Sequence, residues 1–393
     1  MIKTGVGRSN NPDAQKAGAE AAEQALEKIE GKANLVLIFS SVAYNQEKII
    51  EGVRSVSGIS NIPIAGGSPG WGAITNQGAE EGGVVVMALK FEKIKVKVDY
   101  VLDLTKDALK AGMVLGKKLK TENKEFPKLV LVFVAGLGVG TDFFLEGIRE
   151  EIGENASIIG GGTGDEMALK SGGCQFCNSE VLRKGAVGVG FYGDFLIELK
   201  AEHGWEPIGL PMKITKAKGI LVSEIDKKPA IEIFERYFEK QEIMNPKFFT
   251  GEGEGILYPL GIILEKPGRV VVRQVVGATP RGELIFATNM PKGAIVRMMQ
   301  AQTDKMIEAA AEIGKIRSKL KRKKPQLVFV FDCVTRKALL SPDHQKEIDA
   351  FKKNIGEEVP MFGYFSYGEI CSKKEEKEWL VHNETFAAAL LAE

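Results

Sequence analysis

The chain has no uninterrupted apolar run long enough to cross a bilayer as a helix, so no membrane span is expected. It has almost no net charge, with 53 Lys and Arg against 52 Asp and Glu. Without a basic excess there is no general field for a polyanion, which argues against a dedicated nucleic-acid binder. Histidine is scarce: of His203, His344 and His382 no two stand at i and i+4, so a helical metal pair is excluded on spacing. Four cysteines in 393 residues are too few for a disulfide framework. Residues 2–11 are polar and lack the apolar core of a signal peptide. These absences leave a cytoplasmic soluble protein. Its length exceeds that at which one hydrophobic core stops growing, so two domains are expected.

Glycine is plentiful, at 45 residues, and much of it follows apolar runs. There it belongs to a phrase written three times: strand, helix, strand, glycine turn, strand. The first copy runs Leu35-Val36-Leu37-Ile38-Phe39, then Ile64-Ala65-Gly66-Gly67-Ser68. The second runs Leu129-Val130-Leu131-Val132-Phe133, then Ile159-Gly160-Gly161-Gly162-Thr163. The third runs Leu327-Val328-Phe329-Val330-Phe331, then Phe362-Gly363-Tyr364-Phe365-Ser366-Tyr367-Gly368-Glu369. Leu35 and Leu129 stand 31 residues before their first aligned glycine, and Leu327 stands 36 before its own. Fixed spacing marks a duplicated supersecondary unit, at about 34–91, 128–192 and 326–391. The first two turns are mostly glycine, whereas the third carries aromatics, a hydroxyl and a carboxylate. That divergence points to the third copy as the place of function.

Asn11-Pro12-Asp13 opens a helix, and residues 106–120 form another. Alternating Ile94, Val96, Val98 and Tyr100 make an amphipathic strand, which residues 195–202 match after the second copy. The pattern changes at Gly204-Trp205-Glu206-Pro207. Short strands at 219–225, 258–264, 269–276 and 283–289 follow, with turns at Pro267-Gly268 and Pro280-Arg281-Gly282. A helix at 230–238 precedes this meander, and a longer one at 293–320 leads into the third copy. The fold class is mixed α/β (α+β). Two domains, 1–205 and 206–393, hold mixed sheets flanked by helices, with some parallel pairing inside each copy.

Residues 134–141 read as a glycine-rich strand-to-helix turn, because the third glycine of a dinucleotide loop would fall on Thr141. Cys174 and Cys177 have the spacing of half a zinc site or a redox pair, but no second C-x-x-C exists, and no metal or cofactor is assigned. Residues 315–324 are basic and read as a solvated helix end rather than a nucleic-acid patch. The strand ends of the third copy are more specific. Cys333, Arg336, Tyr364, Ser366, Tyr367, Glu369, His382, Asn383 and Thr385 would converge at one crevice. Arg336 offers a fork for a carboxylate, Glu369 an acceptor for an ammonium, and the tyrosines apolar walls. The bland alternative pairs Arg336 with Glu369 and puts the tyrosines in the core. Arg273, alone among valines, is a second anion anchor or a surface cation.

Several stretches, taken in order, resemble the FIST proteins, bacterial and archaeal sensory proteins with FIST N-terminal and C-terminal domains. They are residues 159–165, Gly204-Trp205-Glu206-Pro207-Ile208-Gly209, residues 224–230, Tyr258-Pro259-Leu260-Gly261, residues 363–369 and residues 382–385. The resemblance covers about 34–393. It implies a signal-transduction module that binds a small molecule such as an amino acid. Some relatives are reported to bind haem, for which His203 would be the axial candidate here. Copy one departs from the family with Gly67-Ser68-Pro69 in place of a Cys-Ser-type turn. With no kinase, cyclase or chemoreceptor segment after Glu393, output is expected through a separate signalling protein. On this reading the ligand site is Arg336, Tyr364, Ser366, Tyr367, Glu369, Asn383 and Thr385, with Cys333 and Arg273. The alternatives are an enzyme with Cys333 as nucleophile and His382 as base, or a haem or metal sensor.

Overall fold

A computed structural model describes the chain apart from residues 30, 122, 124, 138, 139, 251, 252, 265–269, 321, 322 and 375–380. The turn Pro267-Gly268, Gly138 and Val139 of the glycine turn, and Lys321 and Arg322 of the basic stretch therefore lie outside the described residues.

The threefold phrase becomes three units of one plan. Each begins with a lead strand: Lys3–Ser9, Lys95–Val101 or Leu196–Glu202. A helix follows (Ala14–Glu27, Ala108–Leu119 or Thr303–Gly314), then the opening strand Leu35–Ser40, Leu129–Ala135 or Leu327–Cys333. A crossover helix (Gln46–Ser55, Thr141–Ile152 or Gln345–Ile355) returns the chain to a second strand, Ile64–Gly67, Ser157–Thr163 or Met361–Ser366. Opening and second strands pair in parallel in every unit, as a strand–helix–strand crossover requires. A short hairpin and a closing strand, Val84–Lys90, Ala186–Tyr192 or Phe386–Ala392, complete the unit.

The sequence gives no local sign of how the hairpins are used. Each unit exports its hairpin to the next sheet. The hairpin of unit two, Gln175–Cys177 with Glu180–Leu182, extends the first sheet; that of unit three, Glu369–Ser372 with Val381–His382, extends the second; that of unit one, Ala73–Thr75 with Gly78–Glu80, extends the third. The exchange is cyclic. The second and third sheets consequently mix strands from both sides of residue 205.

Alternation in the opening strands builds the core. Leu35, Leu37 and Phe39 face inward with Leu129, Leu131, Phe133, Leu327, Phe329 and Phe331, forming one central cluster shared by all three sheets. Val36 and Ile38, Val130 and Val132, and Val328 and Val330 face outward onto the helices. Both faces are buried, which is why the sequence reads as continuous apolar runs. The aligned glycines allow the close pairing of second and opening strands. A Cβ at Gly66, Gly160 or Gly363 would strike the carbonyl oxygen of Ile38, Val132 or Val330. Gly160→Ala is expected to cost about 2 kcal/mol in a denaturant titration.

The meander is an insertion into unit three, between its lead strand and first helix. Its strands lie in the order Val270–Arg273, Leu260–Ile263, Ile295–Gln300, Glu206–Lys218, Leu221–Ile225, Leu284–Phe286 and Val275–Ala278. The two edge strands are separated in sequence only by Gln274, so the sheet curls until its edges meet. The long helix expected at 293–320 is corrected here. Val296 and Met298 point into the meander core while the backbone pairs with strands on both sides, so 295–300 is strand. Helix begins only at Thr303 and ends as a 3-10 turn, Lys315–Lys319. The helix expected at 230–238 shortens to Glu232–Glu235.

Candidate functional site

One brace recurs at the strand ends of all three units. The residue closing or following the opening strand donates its N–H to the residue before the closing strand: Ser41 to Gly83 at 3.0 Å, Ala135 to Gly185 at 3.0 Å, Cys333 to Thr385 at 3.1 Å. In unit two the exported hairpin reinforces this brace with Gln175. Its Nε2 donates to Thr163 Oγ1 at 2.7 Å and its Oε1 accepts from Gly185 N at 3.2 Å. Glu369 holds the same place in unit three, opposite Gly161 as Gln175 is opposite Gly67. Ser366 Oγ donates to its Oε1 at 2.8 Å; Thr385 N and Oγ1 donate to its Oε2 at 3.1 and 2.8 Å. An amide in one unit is thus a carboxylate in the other. Burial pushes this carboxyl up to about 7, against the pull of Ser366, Thr385 and Arg336.

Three further carboxylates crowd the same ends. Asp332 is the last acid of an otherwise apolar opening strand, Glu347 lies on the crossover helix, and Glu384 precedes the closing strand; all are buried. A single guanidinium, Arg336, lies among them. Its Nε is 3.2 Å from Asp332 Oδ1, and its Nη2 pairs with Glu347 and donates to Met306 O at 3.0 Å. Its Nη1 donates to Glu384 O at 3.2 Å and to His203 O, and Trp205 stacks 5.7 Å from its Cζ. The arginine expected to wait for a ligand's carboxylate is therefore met by the chain's own acceptors, and its ion pairs are with Asp332 and Glu347.

Acceptors outnumber donors here. Neither carboxylate oxygen of Asp332 and neither of Glu384 has a hydrogen-bond partner among the described residues. Asp332 keeps the ion pair with Arg336 but without hydrogen-bond alignment. Burial, then Glu347, pushes Asp332 well up; burial, then Glu369, pushes Glu384 well up, with Thr335 and Arg336 opposing. Glu384 also sits in the left-handed backbone region at φ +62. A non-glycine residue there costs on the order of 1 kcal/mol and is kept where the surroundings fix it.

Of the residues singled out in the sequence, Cys333, Ser366, Glu369, Thr385 and Arg336 come together in this cluster. Tyr364 does not. It stands between Phe39, Phe133 and Phe331, with ring centroids 4.9, 6.3 and 5.1 Å away, and donates to Gly161 O at 2.7 Å. It fills the centre of the core, where the other units carry Gly67 and Gly161. Tyr367 donates to Asp165 Oδ1 at 2.7 Å and accepts from Met167 N at 3.0 Å, tying its turn to that of unit two. Arg273 and Asn383 dock the meander. Arg273 Nη1 donates to Val381 O, and its Nη2 is 3.7 Å from Asp142 Oδ1. Asn383 Oδ1 accepts from Gln274 N at 3.3 Å and Thr288 Oγ1 at 3.4 Å.

Cys333 is buried, and burial followed by Glu369 and Glu384 pushes its thiol well up, the wrong direction for a thiolate nucleophile. His382 Nε2 lies 3.1 Å from Cys371 O. His203 Nδ1 accepts from Trp205 N at 3.0 Å, and burial lowers the ring's pKa to about 4. The Cys174–Cys177 pair is corrected as a joint ligand set. Three residues apart along an extended segment, the two thiols lie in cores on opposite faces of the first sheet. Arg183 donates to the Cys174 sulfur at 3.0 Å, and burial pushes Cys177 up to about 12. Among the described residues no three His, Cys, Asp or Glu side chains converge to hold a metal ion. Asp332, Glu347 and Glu384 were not anticipated. Only Asp332 left a signal, as a charge ending a strand that is otherwise wholly apolar.

Comparison with known proteins adds family context. The FIST N domain model matches residues 34–228, and the FIST C domain model matches residues 230–372. An uncharacterized protein of Methanocaldococcus jannaschii is 22% identical in an alignment 390 positions long that covers 91% of this chain and 73% of that one. An uncharacterized protein of Mycobacterium bovis is 23% identical in an alignment 385 positions long that covers 94% of each chain. Among solved structures, cyanuric acid hydrolase from A. caulinodans covers 100% of this chain and 99% of its own, at 8% identity and a TM-score of 0.35. So loose a superposition carries nothing across.

Proposed function

Since the two domain models together span most of its length, the chain belongs to the FIST family, and we propose that it senses a small ammonium-bearing metabolite, an amino acid or a similar amphoteric compound. FIST domains are associated with sensory signal transduction. One observation carries the choice of ligand: Glu384, fully buried and in strained backbone, offers two carboxylate oxygens that no donor among the described residues meets in hydrogen-bond geometry, Thr335 lying near enough only to oppose the rise in its pKa. A buried acceptor without a donor is costly. Here the carboxyl escapes part of that cost by holding its proton, since burial raises its pKa. An arriving ammonium supplies the missing donors and counter-charge.

Glu384 and Glu369 would take the ammonium, with Ser366 and Thr385 holding Glu369 in place. Arg336 keeps the mutually repelling Asp332 and Glu347 together and is a positioning residue. The segment 381–385 is clasped by Arg273, Gln274 and Thr288 of the meander, so occupation of the cluster is coupled to how the meander sits. That coupling is the proposed route to a separate signalling protein. No helix among the described residues is long and apolar enough to cross a membrane.

The test is a thermal-shift and calorimetric screen of amino acids and amines against the full chain. A ligand at 100 times its dissociation constant should add about 2.7 kcal/mol. Binding converts a protonated carboxyl into a paired carboxylate, so a proton is released and affinity rises with pH. In Glu384→Gln the stabilisation should vanish. If no ammonium-bearing compound stabilises the protein, or if Glu384→Gln responds like the parent, the reading fails.

A further inference from the structure

The carboxylate cluster also borders a donor with nothing to meet. Trp205 is 2% exposed, and its Nε1 has no acceptor among the described residues. An indole N–H can only donate, and a buried one normally finds a partner. The other orphaned buried nitrogens are His344 Nδ1 and the Nε atoms of arginines whose Nη atoms are hydrogen-bonded elsewhere. Trp205 has no second polar atom in its side chain, so that side chain is wholly unsatisfied. Its carbon surface is not. The ring packs with Met299, Met306 and Leu340 and stacks 5.7 Å from Arg336 Cζ. Packing thus accounts for an aromatic ring, which phenylalanine would also supply, and leaves the nitrogen unexplained.

The chain puts this ring at a crossing. Trp205 lies between the lead strand Leu196–Glu202 and the first meander strand, Glu206–Lys218. The meander returns through Ile295–Gln300 to the helix Thr303–Gly314. Gly204, at φ +83, lets exit and return pass in contact: a Cβ there would lie 2.6 Å from Lys305 O and 2.7 Å from Met306 Cα. Trp205 N is pinned by donating to His203 Nδ1 at 3.0 Å. Arg336 ties exit, return and cluster together through His203 O, Met306 O and Glu384 O. The same guanidinium opposes the rise in pKa of the Glu384 carboxyl, so ring and carboxyl both lie close about it. One buried site therefore holds an orphaned donor and, on Glu384, two orphaned acceptor oxygens.

We propose that Trp205 is a ligand-binding residue, its indole N–H donating to the carboxylate of an amino acid whose ammonium meets Glu384. The assignment rests on Glu384 as the ammonium site and extends that reading to the ligand's other end. An α-amino acid carries both groups on one carbon, so one molecule satisfies these three atoms, and the face of Arg336 supplies counter-charge to its carboxylate. The site then tells an amino acid from the amine of the same side chain, because the amine leaves Nε1 unpaired. Once bound, the ligand joins the body, through Glu384, to the entry of the meander at Trp205.

Isothermal calorimetry on the full chain tests this, using each protein amino acid and the amine left by removing its α-carboxyl group. In the parent an amino acid should bind at least about tenfold tighter than its amine. In Trp205→Phe, whose folding a thermal melt checks, the preference should fall below about threefold with the amine's affinity unchanged. A parent that binds amine and amino acid alike, or a Trp205→Phe variant that keeps the preference, would overturn the assignment and leave Glu384 in its role. A parent that binds neither overturns both. A second readout needs no substitution at the site. With isotope-labelled tryptophan the three indole signals in an NMR spectrum are assigned through Trp71→Phe and Trp379→Phe, and the amino acid but not the amine should shift that of Trp205. An equal response to both compounds would overturn the assignment as well.

Discussion

Glu369→Gln is expected to stabilise the protein by about 3 kcal/mol above pH 7 and to remove much of the fall in its stability between about pH 4.5 and 7. The carboxyl titrates near 4.5 in an unfolded chain and at about 7 in the fold, because burial disfavours its charge. Between those values the unfolded chain has released a proton that the native state still binds, so native stability drops as pH rises. Above 7 both states are ionised and the full cost persists; below about 4.5 both are protonated and parent and variant should agree. Glutamine can take over every contact, since Gln175 shows the same brace made with an amide: Oε1 would accept from Thr385 N and Nε2 would donate to Ser366 Oγ. Urea titrations of both proteins from pH 4 to 8 measure the effect. A variant less stable than the parent at pH 8, or one that keeps the same slope, would show that the carboxylate is favoured in place rather than tolerated.

That expectation gives the divergence of the third unit its physical meaning. Gln175 shows that an uncharged side chain can make this brace, yet in unit three the position carries a charge that lowers stability at neutral pH. Asp332, where the other opening strands have Ser40 and Val134, adds a second buried acid, and Glu384 a third. Costs of this kind, concentrated at one set of strand ends, mark a place that does something other than fold.

Much of the scaffold could be read from the chain. Alternation in 35–39, 129–133 and 327–331 set which residues face the centre, and the aligned glycines marked where paired strands crowd. Three features lay beyond such reading because they are decided by contacts far apart in sequence. The hairpins pair with a neighbouring unit, so nothing near Glu369 announces that it will lie opposite Gly161. Tyr364 looked like a ligand wall because its turn is polar, but its strand position points it to the common axis. Residues 295–300 carry no strong strand signal alone, and become strand only because Glu206–Lys218 and Leu260–Ile263 leave a gap between them. The site was legible in part: Glu369, Ser366 and Thr385 were placed together, while the acids that surround Arg336 were not.

Arg336→Ala is expected to be the most damaging single change at the site, lowering stability by about 3–5 kcal/mol. The side chain is fully buried, and its removal takes away the ion pairs with Asp332 and Glu347 together with donors to the carbonyls of Met306, His203 and Glu384. Asp332, whose pKa burial already pushes well up, can relieve part of the repulsion only by keeping its proton. The deficit should therefore be smallest near pH 5 and widen towards pH 8, the same sign as for a surface pair lost to acid. Arg336→Lys should recover a fraction of the loss, because a single ammonium cannot span Asp332, Glu347 and three carbonyls at once. Denaturant titrations at pH 5 and 8 read all of this without any ligand. Were Arg336 instead the anchor for a ligand's carboxylate, Arg336→Ala would remain within about 0.5 kcal/mol of the parent and lose only binding. That outcome would remove the guanidinium from the scaffold and return it to the binding site.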